Sequence, residues 1–357
     1  MARVLAGVLL IVALIAGGLY WKRDEIALNI YKAGVERAVR ADTLASLPDG
    51  LAAAFCGTGS PLPDRTRAGP CLLVAAGRHI FVFDAGAGAS AVIAQMGFRA
   101  SDIEAVFLTH FHSDHIDGLG ALALQHWVQH AARAPLPLYG GEGVDRIAAG
   151  FNQAYEQDSE YRIAHHGVLV APPSGFGLAA HAFAIAEGRQ DLIVYDNDGV
   201  KIIAFTVNHG PVRPAFGYRL EYGGRSIAIS GDTAPTPNLI AHAQNADLLV
   251  HEALSPRLVN IIAQSAAADG QTGLAKIMRD IENYHSTPAQ AADDAEAAHA
   301  HALALTHIVP PLPLSVFEGV FLGDAGKHFE GPLWVARDGD LVTLPRAGGM
   351  SRRNLLS

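Results

Sequence analysis

A dense group of histidine and aspartate residues follows one apolar stretch of the chain. Residues 109–115 read Thr-His-Phe-His-Ser-Asp-His and close the apolar run Val106–Thr109. Imidazole nitrogens and carboxylate oxygens are the ligands of catalytic zinc, whose sites leave one position open for water. Two histidines at alternate positions can share one ion, while the aspartate and histidine that follow turn toward a second. The spacing therefore predicts a two-metal centre with these ligands: His110, His112, Asp114 and His115.

Four later apolar runs also end in ionisable residues, as expected when a site is built along one edge of stacked sheets. These run ends carry His209, Asp232, His251 with Glu252, and His307. A carboxylate that touches both ions would hold them together, and Asp232 is the candidate for that role. Such a metal pair generates hydroxide at neutral pH and neutralises the attacking and leaving oxygens of an ester.

Short apolar runs must form the strands that position these residues. In the first half we predict strands at Leu51–Phe55, Cys71–Ala75, Ile80–Phe83 and Val106–Thr109. In the second half we predict them at Lys201–Val207, Phe216–Tyr222, Ser226–Ser230, Leu248–Val250 and Leu303–Thr306. Helices are predicted at 118–132, 257–268 and 273–283, and another opens at Thr287, where Pro288 and Gln290 complete a capping box. Strands that alternate with helices favour an α/β sandwich with helices outside.

The HxHxDH pattern resembles the signature of the metallo-β-lactamase superfamily, and the likeness extends over about residues 51–345. The resemblance implies an α/β fold, the αββα four-layer sandwich, and two Zn²⁺ ions, with Mn²⁺ or Fe as alternatives. It implies that the first ion is held by His110, His112 and His209, and the second by Asp114, His115 and His307, with Asp232 between them. Asp84, in the segment Phe83-Asp84-Ala85-Gly86, is similar to a strand-end aspartate that orients a metal ligand.

Within that superfamily, the ribonuclease Z and arylsulfatase-like branch is the most similar. Gly57-Thr58-Gly59-Ser60-Pro61 resembles its opening loop, and His251-Glu252-Ala253 and His285-Ser286-Thr287 resemble two of its short motifs. This likeness implies that Glu252 holds His285 and that His285 protonates the leaving oxygen. The alternative is that Glu252 is a structural acceptor and that His285 only precedes a helix.

These residues predict a dinuclear-zinc hydrolase that cleaves a phosphodiester or related ester of small or medium size. The attacking group would be a metal-bridging hydroxide, which Asp114 orients as well as binding metal. Alternatives on the same fold are an arylsulfatase-type sulfate-ester hydrolase and a lactonase. Asp232 stands where true β-lactamases often carry cysteine, which disfavours β-lactam hydrolysis. A non-catalytic metal-binding scaffold is disfavoured because no ligand is missing.

Composition bears on the partners of the protein. The formal net charge is −9, and there is no run rich in lysine or arginine. Residues 135–200, which we predict to be an inserted or lid region, contain no lysine cluster. We therefore expect no nucleic-acid partner. The sequence leaves a homodimer open.

The first residues predict an attachment to a membrane. Residues 4–21 contain no charge, and as a helix they would extend roughly 27 Å, close to a bilayer core. We expect a membrane anchor at 1–21, with a cleaved signal peptide of an exported protein as the alternative. Residues 22–50 would form a helical tether and 346–357 a tail, and the domain would face the periplasm or the cell exterior. Cys56 and Cys71 would then form a disulfide, or two buried thiols if the domain is cytosolic.

Overall fold

The computed structural model describes residues 2–357, which divide into two compact units at Asp42 and Thr43. The first unit consists of helices α1 (Ala2–Trp21) and α2 (Arg23–Arg40). Over the residues that it describes, the structure has no helix that is both long and apolar enough to cross a membrane. The predictions of a membrane anchor at 1–21, of a membrane partner and of an anchored extracytoplasmic location are therefore wrong. An apolar run of bilayer length is necessary for a span but does not suffice for one.

Two sheets form the centre of the second unit. The first contains β1 (Gly50–Gly57), β2 (Cys71–Ala76), β3 (His79–Phe83), β4 (Ile103–Phe107), β5 (Leu136–Gly140), β6 (Leu178–Ala182), β14 (Asp340–Pro345) and β15 (Ser351–Asn354). Its strand order is β15-β14-β1-β2-β3-β4-β5-β6. The second contains β7 (Asp191–Asn197), β8 (Val200–Thr206), β9 (Phe216–Tyr222), β10 (Arg225–Ile229), β11 (Leu248–Leu254), β12 (Leu303–Val309) and β13 (Leu333–Val335). Its order is β13-β12-β11-β10-β9-β8-β7.

Helices cover the outer face of each sheet. The helices of this unit after α3 (Thr43–Ser46) are α4 (Ala89–Gln95), α5 (Ser113–Ile116), α6 (Leu119–Gln129), α7 (Val144–His166), α8 (Pro237–His242), α9 (Pro256–Ala268), α10 (Thr272–Asp280), α11 (Pro288–Ala297) and α12 (Glu318–Leu322). The predicted capping box opens α11: the Thr287 side chain accepts from the Gln290 amide, and the Gln290 side chain accepts from the Thr287 amide.

Alternating side chains divide the apolar core into layers, because successive residues of a strand point to opposite faces. On β1, Leu51 and Phe55 pack between the sheets with side chains from β9 and β10, such as Tyr218. Ala52 and Ala54 point the other way, into the layer beneath α4 and α6. An equivalent layer separates the second sheet from α8 and α11. The predicted αββα sandwich is confirmed.

Residues 135–200 differ from the expected insertion. They supply β5 and β6 to the first sheet, β7 to the edge of the second, and the long helix α7. The expected tail at 346–357 contains β15, which pairs with β14. These edge strands are partly exposed and lack a regular apolar alternation, so the sequence pattern does not reveal them.

Cys56 and Cys71 form a disulfide between the neighbouring strands β1 and β2, with Cα atoms 5.0 Å apart. Of the two states that the sequence left open, the structure has the bonded one. The bond closes the base of the 57–70 loop.

Candidate metal centre

The predicted site residues meet at one edge of the sandwich, where strands from both sheets end. Their ligand atoms fall into three overlapping groups, in each of which all the atoms lie within 4.8 Å of one another. The groups are His110, His112, His209 and Asp232; Asp114, His115 and His307; and Asp232, His285 and His307.

Asp84 holds the segment after β4 in place. Its carboxylate accepts hydrogen bonds from the Thr109 amide at 2.8 Å, the Thr109 hydroxyl at 2.7 Å and His115 Nδ1 at 2.8 Å. The bond to Nδ1 fixes the ring, so His115 Nε2 points into the cluster, 3.4 Å from Asp232 Oδ2 and 3.5 Å from Asp114 Oδ2. A carboxylate that orients a histidine in this way is a common support for a metal ligand.

The first group is rich in imidazoles. His110 Nε2 lies 2.9 Å from His112 Nδ1, and His209 Nε2 lies 3.4 Å from the same atom. His209 Nδ1 donates to the Tyr284 carbonyl at 3.1 Å, which turns its other nitrogen inward. Burial lowers the pKa of His110 well below its ordinary value and also lowers the pKa of His112 and His209. Neutral rings with free lone pairs are the form that binds a cation.

Asp232 lies between the two ligand groups. Its Oδ2 is 3.2 Å from His307 Nε2 and 3.9 Å from both His110 Nε2 and His209 Nε2. Burial alone would raise the pKa of Asp232, but His307 and His115 hold it well below its ordinary value. The buried side chain is therefore an anion in contact with both groups.

The second group combines imidazoles with a carboxylate. Asp114 Oδ2 lies 3.3 Å from His307 Nε2. Burial alone would raise the pKa of Asp114, but the bond to His307 lowers it. Burial alone would likewise lower the pKa of His115, yet Asp232 and Asp84 raise it well above its ordinary value. The carboxylates thus draw positive charge, a proton or a metal ion, to this point.

This donor set fits divalent cations. His115 Nε2 is buried and has no hydrogen-bond partner among the described residues, although it faces two carboxylates. A buried nitrogen in that setting is explained by a metal bond. The imidazole-rich chemistry matches the borderline-soft metals and not Mg²⁺ or Ca²⁺.

His285 and Glu252 form a pair beside these ligands. His285 Nδ1 donates to Glu252 Oε1 at 2.9 Å, and the same oxygen accepts from the Ser286 amide at 3.0 Å and the Thr233 amide at 3.1 Å. Burial alone would lower the pKa of His285, but Glu252 raises it to about 9. The ring lies within the group shared with Asp232 and His307.

Sequence reasoning missed two backbone or hydroxyl partners of the site. They are the Tyr284 carbonyl that orients His209 and the Thr109 hydroxyl that bonds Asp84. Thr109 stands directly before the HxHxDH residues, where a polar side chain at a strand end is a detectable signal. A carbonyl carries no signal, because every residue has one.

Comparison with known proteins shows the family to which the chain belongs. The sequence profile of the Beta-lactamase superfamily domain matches residues 79–308. The chain belongs to this superfamily of metallo-β-lactamase-fold proteins, and it is a metal-dependent hydrolase that acts on ester bonds.

The similar relatives are ribonucleases. The chain is 38% identical to "Ribonuclease Z" of Mycobacterium sp. strain KMS over 257 residues, which cover 72% of this chain and 83% of that protein. It is also 38% identical over 258 residues to "Ribonuclease Z" of Mycobacterium bovis strain BCG / Pasteur 1173P2, with coverages of 72% and 85%. The predicted ribonuclease Z branch is confirmed. The expectation that no nucleic acid takes part is contradicted by these relatives.

Solved structures share the fold. The human tRNase Z short form superposes with a TM-score of 0.58 at 24% identity, covering 82% of this chain and 99% of that one. The metallo-beta-lactamase fold protein YhfI from Bacillus subtilis superposes with a TM-score of 0.57 at 19% identity, with coverages of 82% and 98%. At these identities the likeness concerns the fold alone.

Proposed function

We propose that this protein is a two-metal phosphodiesterase that hydrolyses phosphodiester bonds of RNA. One observation carries the proposal: the imidazole of His285, hydrogen-bonded through Nδ1 to Glu252, lies against two adjoining groups of metal-ligand atoms. Two cations and one acid are what phosphodiester hydrolysis requires, because charge builds on the phosphoryl oxygens while the departing alkoxide needs a proton. The relatives named ribonuclease Z support RNA as the substrate.

The ligand assignment follows the groups. One ion is assigned to His110, His112 and His209, the other to Asp114, His115 and His307, with Asp232 shared by both. Zinc is the proposed metal since five imidazoles and two carboxylates form the donor set. When bound, the two cations supply a nucleophile at neutral pH and neutralise charge on the phosphoryl group.

The protein's own groups complete the reaction. Asp114, kept deprotonated by His307, accepts a hydrogen bond from the attacking water and orients it. His285 donates its proton to the leaving oxygen, and Glu252 fixes the ring in the orientation needed for that transfer. Asp84 acts through His115, which it holds toward the metal.

A substrate panel tests the proposal. Purified protein loaded with zinc is assayed against an RNA oligonucleotide, a tRNA-containing transcript, p-nitrophenyl sulfate and a lactone, and its metal content is measured. We expect RNA cleavage, about two equivalents of zinc, and loss of activity on chelation that zinc restores. Hydrolysis of the sulfate ester or lactone without RNA cleavage would overturn the phosphodiesterase assignment, and a single bound equivalent would overturn the dinuclear one.

A further inference from the structure

A groove of about 620 Å³ opens beside the metal centre, and His209 belongs to both. Its volume is within the usual range for small-molecule sites, about 300–1,000 Å³. Its lining includes Phe183, Asn208, Arg213, Pro214 and Phe216, together with Glu142. None of them belongs to the ligand set.

Two aromatic rings, tilted 46° from one another, line one wall of the groove, and Phe183 is the less buried of the two. Phe183 is half-buried, and its ring lies 4.8 Å from that of Phe216. Both are fixed through the backbone: the Phe183 amide donates to the Gly140 carbonyl at 2.9 Å, and the Phe216 amide donates to the Thr109 carbonyl at 2.9 Å. Thr109 directly precedes His110, so this wall is rigidly placed next to the metal centre. Fixed aromatic faces are the platforms on which proteins stack single nucleobases.

Asn208 presents an amide beside that wall. Its backbone is held on both sides, since its amide donates to the Thr233 hydroxyl at 3.0 Å and its carbonyl accepts from the Ala234 amide at 2.8 Å. The side chain is exposed and directly precedes His209. An amide offers a donor and an acceptor together, which is the pattern that matches the edge of a base.

Arg213 supplies an exposed cation. Within residues 2–357 its guanidinium has no carboxylate or hydrogen-bond partner, whereas Arg219 and Arg225 are each paired with carboxylates. A free guanidinium at the mouth of a phosphodiesterase site suits a phosphate oxygen. Glu142 is the one carboxylate among the residues that line the groove.

We propose that this groove is a nucleotide subsite, which holds the nucleoside joined to the reacting phosphate. The base stacks on Phe183, its edge bonds to Asn208, and Arg213 binds a neighbouring phosphate. This proposal rests on the phosphodiesterase function and adds what that function leaves open, namely how an acidic protein selects a nucleotide beside its metal centre.

Two esters that differ only by the nucleoside test the subsite: adenosine 5′-(p-nitrophenyl) phosphate and methyl p-nitrophenyl phosphate. In Phe183→Ala we expect the KM for the adenosine ester to rise about fivefold or more relative to the KM for the methyl ester. Phe183→Trp should keep the wild-type ratio, because it keeps a stacking face. Phe317→Ala, an exposed phenylalanine outside the groove, is the matched control and should leave the ratio unchanged.

Arg213→Ala gives an independent readout on an exposed residue whose loss does not endanger folding. We expect it to raise the KM for a dinucleotide that carries a second phosphate more than the KM for the adenosine ester. An unchanged KM ratio in both Phe183→Ala and Arg213→Ala would overturn the subsite while leaving the phosphodiesterase function standing.

Calorimetry separates failure of the subsite from failure of the function. If the zinc-loaded wild type cleaves neither these esters nor RNA, the proposed function fails, and titration with adenosine monophosphate then tests the groove on its own. Binding that Phe183→Ala weakens supports the subsite. Absence of binding, or binding that Phe183→Ala leaves unchanged, overturns it.

Discussion

The two sheets contribute to the metal centre in different ways. The first sheet supplies its ligands from one short segment, residues 110–115, which follows β4 and is held by Asp84. The second sheet supplies its ligands from three separate strands: His209 follows β8, Asp232 follows β10, and His307 lies within β12. The ligands of the first sheet are close together along the chain, so the sequence alone predicts them. Those of the second sheet come together only once β8, β10 and β12 lie in register.

The ligands from the two sheets also differ in how many metal-ligand groups each of them contacts. The segment of the first sheet provides two members of each ligand group, whereas Asp232 of the second sheet touches both groups. Loss of a first-sheet ligand should weaken one metal, and loss of Asp232 should weaken both. The following variants test this asymmetry, from the largest expected effect to the smallest.

Asp232→Asn should have the largest effect. Removal of the shared anion takes several kcal/mol of charge stabilisation from the site, so kcat/KM for RNA should fall roughly 10³-fold or more. Metal analysis should find both equivalents reduced, in contrast to His110→Ala, which should retain part of the metal. Two full equivalents in Asp232→Asn would show that the carboxylate does not join the groups.

His285→Ala should come next. Loss of a general acid costs about 10²- to 10⁴-fold for the alkoxide leaving group of RNA. The effect should be much smaller with a p-nitrophenyl ester, because p-nitrophenolate leaves without a proton. If His285→Ala lost the same fraction of activity on RNA and on the p-nitrophenyl ester, His285 would not be the general acid. The control is His165→Ala, at an exposed histidine.

Asp84→Asn should have an intermediate effect. Since Asp84 orients His115 without touching the substrate, metal affinity and activity should fall about 10- to 100-fold. Excess zinc should restore part of the activity, a rescue that is not expected for Asp232→Asn. If metal titration shows unchanged affinity, Asp84 is only a turn residue.

Tyr218→Phe should have the smallest effect, on stability. The buried Tyr218 hydroxyl of β9 donates to the Leu108 carbonyl at the end of β4, so it joins the two contributions to the site. The loss should lower the free energy of unfolding by about 1–2 kcal/mol, measured by urea denaturation. Exposed Tyr161→Phe should leave it unchanged.

How much the sequence reveals depends on how local each feature is. The HxHxDH segment and the capping box at Thr287 are fixed by neighbouring residues, and both were predicted. The edge strands at 178–182 and 351–354 were not, because they are defined by their partners and have no apolar alternation. The groove at Phe183 was also invisible, since it joins residues from both sheets.

Two predictions failed because they relied on a total over many residues, a net charge or an apolar length, and not on where the residues lie in the fold. The net charge of −9 led us to exclude nucleic acid, although a total over 357 residues does not describe the surface around one groove. The apolar length of residues 4–21 led us to expect a membrane anchor, although length is only one condition for a span.

The backbone at Asp84 and His307 has a consequence for the lifetime of the protein. Both residues adopt left-handed conformations, with φ of 57° and 46°, which cost of order 1–3 kcal/mol each for residues other than glycine. A ligand that binds only the folded state repays such costs through mass action. Resistance to heat and to proteolysis should therefore track the concentration of free metal, so that metal supply governs how much protein persists as well as how fast it works.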